Sequence, residues 1–252
     1  MKKISILLVA IVLSTICSKS FSQTNSKTYE VATWQGFRTA AVSYTFDDNC
    51  PNQLPVAIPL FNEFGFKTTM FVPSDWIKDW SALQTVADQG HEIASHTVTH
   101  NNLGKLTAAQ QLIEFKNSQE SINAHIKGHS CITIAYPYCV PGNDSLCASF
   151  YIAARHCQGY VEPKTPADFM KISSLTTGSV SSIQTVGDFN NRVQKADSLN
   201  GWCVFLLHGI DNDGGYSSTQ SAVLRAHLSY VKEHNNTYWV APFSDVARYI
   251  KE

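Results

Sequence analysis

Short apolar runs alternate with amphipathic segments along most of this chain, and this alternation constrains the fold more than any other feature. Seven runs have the length and composition of buried strands. They are 41–46, 68–72, 92–95, 132–136, 152–155, 202–207 and 238–240. The helical patterns between and after them are 55–64, 81–89, 107–126, 145–151, 189–198, 218–232 and 243–250. Strands joined by helices favour a parallel sheet. The sequence therefore predicts an α/β protein, an incomplete or distorted relative of the (β/α)8 barrel.

Polar side chains suited to catalysis follow these strands directly. They are Asp47, Asp48, His96, Tyr138 and His208. Active sites of α/β barrels collect at the carboxyl ends of the strands. The positions of these residues therefore support one site at that end of the predicted barrel.

The pair Asp47-Asp48 and the spacing His96-x3-His100 indicate a metal site. One carboxylate and two imidazoles suit zinc with coordination positions left open for water and substrate, and the second carboxylate would be free to handle protons. A structural interpretation stands beside this one. The aspartates could cap a turn before Pro51, the two histidines could share a helix surface, and His208 could be a core residue. Because all of these residues fall at strand ends, the pattern favours metal-assisted hydrolysis.

Four motifs in this order resemble the polysaccharide deacetylase family, also known as carbohydrate esterase family 4. They are Thr45-Phe-Asp-Asp48, His96-Thr-Val-Thr-His100, Tyr136-Pro-Tyr138 and Leu206-Leu-His208. The resemblance covers nearly all of the chain after Ala40. It implies a distorted (β/α)7 barrel and a zinc ion, with Co²⁺ or Ni²⁺ as alternatives.

The resemblance also implies a role for each motif residue. Asp47 would be the general base and His208 the general acid. Asp48, His96 and His100 would hold the metal, and the backbone N–H of Tyr138 would help to bind the oxyanion. These expectations agree with the chemistry of amide hydrolysis, which needs an activated water, oxyanion donors and a proton for the leaving amine.

The chain departs from the family pattern in three places. Ala135 stands where relatives commonly carry an arginine that pairs with the base, and the family's fourth motif, an Asp…Asp-Trp segment, has no convincing match. Cys139 stands where glycine is frequent. A base aspartate beside a second carboxylate would resist ionisation without a cation. We therefore predict that Arg155, at the end of the next strand, supplies the missing charge.

The expected function is removal of acetyl groups from a carbohydrate, with N-acetyl groups of an amino sugar as the leading substrate. The alternatives are an O-acetyl esterase of the acetylxylan type and a catalytically inactive carbohydrate-binding relative. The formal net charge of −1 and the absence of any basic patch argue against a nucleic-acid partner. The sequence leaves the oligomeric state open.

The first 22 residues have the pattern of a signal peptide, which makes 23–252 the expected catalytic domain and predicts a secreted or periplasmic protein. Lys2 and Lys3 precede the apolar stretch Ile4–Ile16, and Ser20-Phe-Ser22 is a suitable cleavage site. The stretch is short for a stable membrane span. The bulky Ile16 before Cys17 argues against a lipid anchor.

Six cysteines follow this leader, and an oxidising compartment would allow up to three disulfides among them. Buried thiols with one or two bridges are the favoured interpretation, and Cys139–Cys147 is the expected pair because these residues are closest in sequence. No CxxC pair occurs, which argues against a thiolate zinc site.

Three local predictions complete the interpretation of the sequence. Thr107 and Ser218 are expected helix N-caps, and the Ser- and Thr-rich segment 163–188 is expected to be a surface excursion or an extra hairpin. The segment 211–215 is expected to be a turn in preference to a calcium loop. The tryptophans at 76, 80 and 239 could stack on sugar rings, but the core is the favoured assignment.

Overall fold

The computed structural model describes residues 32–252, which form a curled parallel sheet surrounded by helices. The strands are β1 (Ala40–Asp47), β2 (Thr69–Val72), β3 (Glu92–Ser95), β4 (Thr133–Ala135), β5 (Ala153–Arg155), β6 (Leu175–Thr176), β7 (Trp202–Leu207) and β8 (Tyr238–Val240). The α-helices are α1 (Ile58–Phe64), α2 (Trp80–Asp88), α3 (Ala108–His125), α4 (Asp144–Cys147), α5 (Val186–Leu199), α6 (Ser221–Glu233) and α7 (Phe243–Lys251). A π-helical turn, Gln53–Ala57, precedes α1.

The sheet has the order β5-β4-β3-β2-β1-β7-β6, and every pairing is parallel. The central strand β1 also pairs through its first residues with β8. A parallel bridge between Arg155 and Ile172 connects β5 to the segment that leads into β6. This arrangement confirms the predicted distorted (β/α)7 barrel.

The predicted surface excursion at 163–188 was wrong in its central part, although both ends of the segment contain exposed residues. Ile172, Ser173, Ser174 and Leu175 are buried, because this stretch runs between β5 and β7 and bridges them. The ladder of β6 is two residues long, and half of the buried stretch is serine. The sequence therefore shows no apolar run at β6, the strand that lies between β5 and β7.

Alternation along β1 separates two cores. Val42, Tyr44 and Phe46 face the helices, whereas Ala41 belongs to the cluster inside the barrel. That interior cluster contains large rings beside small side chains, among them the alanines at 94, 135 and 153. Alanine at these interior positions leaves volume that a long side chain from a neighbouring strand can occupy.

One of the two predicted helix caps is confirmed. Thr107 forms a capping box at the start of α3. Ser218 was wrong, because α6 begins at Ser221 after Gln220, which has no side-chain capping bond. The hydroxyl of Ser218 instead accepts a hydrogen bond from the backbone N–H of Asn212 at 2.7 Å. The preference of serine for N-caps was here overridden by a tertiary contact.

The segment 211–215 forms a turn whose carboxylates are occupied by backbone N–H groups. Asp213 accepts from Gly215 at 3.0 Å and from Asn52 at 2.9 Å, and Asp211 accepts from Ser221 at 2.8 Å. The turn interpretation is therefore supported over a calcium loop. The Asp213–Asn52 bond also ties this turn, which follows β7, to the loop that follows β1.

The expected pair Cys139–Cys147 was wrong, because Cys139 pairs with Cys157 with a Cα–Cα distance of 5.4 Å. Cys147 is fully buried in α4 and its thiol is free. Proximity in sequence failed here because parallel pairing of β4 with β5 brings the residues that follow the two strands together. The other free thiols in residues 32–252 are buried at positions 50, 131 and 203.

Within residues 32–252 no helix is both long and apolar enough to span a bilayer. The predicted signal peptide, 1–22, lies outside the described residues.

Candidate active site

The carboxyl end of β1 places its two aspartates in different environments. Asp47 is the last residue of the strand and is buried. Asp48 follows with a φ of 71°, a left-handed conformation that non-glycine residues adopt infrequently, and its side chain is 20% exposed. The reversal of the backbone at Asp48 separates the two carboxylates and brings the second one towards the loop that follows β3.

That loop, 96–100, carries both histidines and is anchored to α3 by hydrogen bonds. The carboxylate of Glu114 accepts hydrogen bonds from the backbone N–H groups of Val98 and Thr99 at 2.8 and 3.0 Å, and from the hydroxyl of Thr99 at 2.6 Å. His100 has a φ of 60° and donates its backbone N–H to the Thr97 hydroxyl at 3.1 Å. The motif is therefore a rigid loop and not a helical turn. Sequence reasoning missed Glu114, because nothing local marks a helix residue that acts on a distant loop.

Asp48, His96 and His100 converge on one point. Nε2 of His96 and Nε2 of His100 lie 3.6 and 3.3 Å from Oδ1 of Asp48, and the three candidate ligand atoms lie within 4.8 Å of one another. Nδ1 of His96 lies 2.8 Å from the carbonyl oxygen of Ala135. A proton on Nδ1 leaves the lone pair of Nε2 free, the usual state of a histidine that binds a metal.

These residues fit a divalent cation on their own chemistry. Oδ1 of Asp48 is buried and has no hydrogen-bond partner among residues 32–252. Burial, opposed by the nearby Asp47 and Asp48 carboxylates, lowers the pKa of His96, so this imidazole is neutral at neutral pH. An acceptor oxygen and a free ring nitrogen then face each other, and a cation between them would satisfy both. Two imidazoles and one carboxylate are ligands that zinc, cobalt and nickel accept.

Arg155 lies against Asp47 inside the barrel. One guanidinium nitrogen donates to Oδ2 of Asp47, and another donates to the Ser174 hydroxyl at 3.1 Å. Burial raises the pKa of Asp47, but the charge of Arg155, together with His96 and His208, outweighs it, and the net shift is downward. Both side chains of this ion pair are buried, and the charge of Arg155 keeps the Asp47 carboxylate ionised.

The register of the sheet explains how Arg155 reaches this carboxylate. Ala135 in β4 and Arg155 in β5 are direct cross-strand partners. Neighbouring residues in a parallel pair point to the same side of the sheet, so both face the barrel interior. The small side chain at 135 leaves room, and the guanidinium lies over the ring of Phe71 at 5.3 Å from its centroid. The positive charge beside Asp47 therefore comes from β5 and not from the neighbouring position in β4.

His208 follows β7 and faces both aspartates. Its Nε2 lies 3.9 Å from Oδ2 of Asp47 and 3.9 Å from Oδ2 of Asp48. Burial lowers its pKa, and the two carboxylates oppose that effect. Its Nδ1 is buried and finds no hydrogen-bond partner in the described part of the chain. The ring of Tyr216 packs edge-on against it at a centroid distance of 5.0 Å.

Gln53, which the sequence analysis did not single out, connects the ends of β1 and β7. Its fully buried side-chain amide donates to the carbonyl oxygens of Asp47 at 2.6 Å and His208 at 2.9 Å. The amide therefore fixes the separation between the ends of β1 and β7. No sequence signal marks this role, because it depends on a π-helical turn that points one glutamine back into the barrel.

The two aspartates and the three histidines of the site line a cleft of about 470 Å³. Tyr138, 64% exposed, and the Cys139–Cys157 disulfide form one wall, and Tyr216 belongs to the same lining. Trp76 is 44% exposed and its ring lies 5.0 Å from that of His100, so its assignment to the core was wrong. Trp239 is buried as expected.

A parallel barrel with a metal-ligand set, a buried aspartate–arginine pair and an imidazole at the carboxyl ends of its strands belongs to the class of α/β-barrel hydrolases. Residues 35–149 match the family model for polysaccharide deacetylase. This match agrees with the motifs that extend to His208, and it identifies residues 35–149 as polysaccharide deacetylase sequence.

One individual protein is similar to this chain over most of the chain's length. A gellan lyase from a Bacillus species is 32% identical over 244 residues, an alignment that covers 88% of this chain. The chain spans 10% of that protein's length, so the name describes a much longer molecule.

Solved structures share the fold. A candidate polysaccharide deacetylase from Mycobacterium smegmatis superposes with a TM-score of 0.68 at 16% identity, covering 86% of this chain and 92% of that one. The Bc1960 peptidoglycan N-acetylglucosamine deacetylase superposes with a TM-score of 0.59 at 19% identity, covering 86% and 97%. At these identities the likeness describes the fold alone.

Proposed function

We propose that this chain is a secreted, zinc-dependent carbohydrate deacetylase that acts on N-acetyl groups of an amino sugar. The observation that carries the proposal is the convergence of Asp48, His96 and His100 beside a separate, ionised Asp47. Two carboxylates with different partners allow a division of roles, one for the metal and one for the proton.

The chain's own residues account for the proton transfers. A bound divalent ion would polarise the acetyl carbonyl and make a bound water more acidic. Asp47, held ionised by Arg155, would accept the proton of that water. The backbone N–H of Tyr138, on the cleft wall, would stabilise the developing oxyanion. His208, which faces the same cleft, would give a proton to the leaving amine nitrogen.

An O-acetyl esterase is the second candidate, and one observation favours it. Nδ1 of His208 has no partner within residues 32–252, so nothing described fixes the tautomer or the orientation of the acid imidazole. An alcohol leaves more easily than an amine and depends less on a well-oriented acid. Against this, Gln53 fixes the backbone of His208, and Tyr216 packs against its ring.

An inactive carbohydrate-binding protein is disfavoured by the Asp47–Arg155 pair. A buried ion pair is costly to maintain and contributes little to stability compared with apolar residues of the same volume. The presence of such a pair is easier to explain if the Asp47 carboxylate accepts a proton during a reaction.

Secretion is supported by the signal-peptide pattern of residues 1–22 and by the disulfide, which forms in oxidising compartments. The proposed partner is an acetylated sugar chain in the cleft.

Acetate release from chitooligosaccharides, peptidoglycan fragments and acetylated xylan tests the proposal, with and without added Zn²⁺. The matched control is Asp47→Asn, which preserves shape and removes the base. We expect zinc-dependent release from the amino-sugar substrates and a loss of about 10²–10⁴-fold in the control. Release from acetylated xylan alone would select the esterase. Absence of release from every substrate by a zinc-loaded protein would favour the binding protein.

A further inference from the structure

The disulfide at the cleft wall joins two segments that serve the proposed reaction. Cys139 directly follows Tyr138 after β4, and Cys157 lies two residues beyond Arg155 after β5. Cys139 and Cys157 are both partly buried, and both line the cleft. The bridge therefore connects the loop that carries the proposed oxyanion donor to the strand that orients the proposed base.

The loop that it holds has an unusual backbone conformation. Tyr138 and Cys139 both have a φ of 57°, so two consecutive non-glycine residues are left-handed. Such conformations are disfavoured and persist when the surrounding structure imposes them. The local hydrogen bonds are few: Cys139 donates to the carbonyl of Tyr136 at 3.2 Å, and Val140 donates to that of Pro137 at 3.1 Å.

The side chain of Tyr138 contributes little additional restraint. It is 64% exposed, and its ring contact is with His100 at a centroid distance of 4.8 Å. β4 itself is three residues long, and its last backbone bond to β5, from the Tyr136 N–H to the Arg155 carbonyl at 3.1 Å, lies two residues before Tyr138. The covalent link to Cys157 is therefore the strongest restraint on the position of the Tyr138 N–H.

We propose that Cys139–Cys157 is a positioning element that holds the Tyr138 backbone N–H in its catalytic place, an inference that rests on the proposed deacetylase function. The metal-ligand set comes from the ends of β1 and β3, which the bridge does not touch. Breaking the disulfide should therefore weaken transition-state stabilisation and leave metal binding intact.

Reduction by a phosphine such as tris(2-carboxyethyl)phosphine breaks the bridge reversibly. The phosphine gives two electrons to the S–S bond and becomes its oxide, water supplies the oxygen and two protons, and two thiols form. The steady-state expectation is a fall in kcat of about 10–100-fold with little change in KM. A misplacement of about 1 Å can cost about 10²-fold, and complete removal of an oxyanion donor costs about 10²–10³-fold. Zinc affinity should be unchanged, because Asp48, His96 and His100 keep their positions.

The experiment compares oxidised protein, phosphine-reduced protein and Cys157→Ser. The variant should reproduce the reduced protein's low kcat and should not respond further to phosphine. Cys147→Ala, which removes a free buried thiol, is the matched control and should keep both its activity and its response to phosphine. An unchanged kcat in zinc-loaded Cys157→Ser, or a loss of zinc affinity that accounts for the fall, would overturn the proposal.

Amide hydrogen exchange in the peptide that contains Tyr138 provides a readout independent of turnover. Exchange there should accelerate on reduction, while exchange in the 96–100 loop stays constant. If the oxidised protein releases acetate from no substrate, the proposed function fails and this measurement alone decides: faster exchange confined to the Tyr138 loop supports the positioning role, and equal exchange overturns it.

Discussion

Replacement of Arg155 by glutamine should change both stability and the pH dependence of activity, because it leaves Asp47 buried beside a second carboxylate. Both side chains are buried, so solvent screens their attraction far less than it screens a surface ion pair. Breaking a buried ion pair by removing one partner costs about 3–5 kcal/mol. For a domain of this size each kcal/mol corresponds to about 2–4 °C. The melting temperature of Arg155→Gln should therefore fall by about 6–20 °C in differential scanning calorimetry.

The effect on pH dependence follows from the causes of the Asp47 shift. Burial raises the pKa of Asp47, and the Arg155 charge is the main cause that lowers it. Without the arginine, burial dominates and the base becomes protonated at higher pH. The acidic limb of kcat/KM should therefore move to higher pH in Arg155→Gln, whereas Arg155→Lys, the charge-preserving control, should shift it less.

Transfer of the positive charge from position 155 to position 135 provides a stricter test of the role of Arg155. Ala135 and Arg155 are cross-strand partners that face the same interior, so the double variant Ala135→Arg/Arg155→Ala should recover part of the activity lost in Arg155→Ala. The acidic limb should return towards its original position. A folded Arg155→Gln protein with an unchanged acidic limb would refute the assignment of Arg155 as the partner that ionises the base.

Three further outcomes are expected. Glu114→Gln weakens the anchoring of the 96–100 loop and should lower zinc affinity by about 10–100-fold in calorimetric titration; unchanged affinity would show that the loop holds its shape unaided. Gln53→Ala removes two hydrogen bonds to buried carbonyl groups, and urea denaturation should show a loss of about 1–3 kcal/mol; a neutral result would mean that the strand ends do not need this link. Burial lowers the pKa of His227 to about 3. Between about pH 6.5 and pH 3 the unfolded chain therefore binds a proton at this residue that the folded protein does not bind. The stability that the neutral imidazole contributes above about pH 6.5 is lost as the pH falls towards about 3. Metal-free protein should lose about 2–3 kcal/mol between pH 7 and 4.5 from this residue, and a His227→Gln variant with an equally steep loss would contradict that origin.

The parts of the fold that the sequence predicted are those in which local pattern and tertiary structure agree. The apolar runs at β1 and β7 are buried on both faces, and such strands stand out in any sequence. The site residues Asp47, Asp48, His96 and His208 could be located because each follows one of these runs. The chain geometry of a parallel barrel then brings them together without further information.

The parts that were missed depend on contacts across the fold. β6 is two residues long and follows two serines, so burial there has no apolar signature. The disulfide partner of Cys139 follows from strand neighbours and not from sequence distance. Glu114 and Gln53 act through side-chain hydrogen bonds to backbone groups far along the chain. Such bonds have no periodicity and are invisible before the fold is known.

The departure at Ala135 shows a different kind of limit. The sequence showed that the proposed base, Asp47, lacks its usual cationic partner, and it predicted that Arg155 replaces it. Arg155 can reach Asp47 because β4 and β5 pair in register. A one-residue slip in that register would turn the arginine towards the helices. The charge of the site is thus encoded in the alignment of two three-residue strands.

The most direct test of the account is zinc titration of the metal-free protein, followed by both calorimetry and acetate release from the responding substrate. We expect activity to rise in proportion to zinc up to one ion per chain. Asp48→Ala should lose both binding and activity, whereas Asp47→Asn should bind zinc and remain inactive. Full activity in the presence of a chelator, or an Asp47→Asn protein as active as the unmodified one, would contradict the division of roles between the two aspartates.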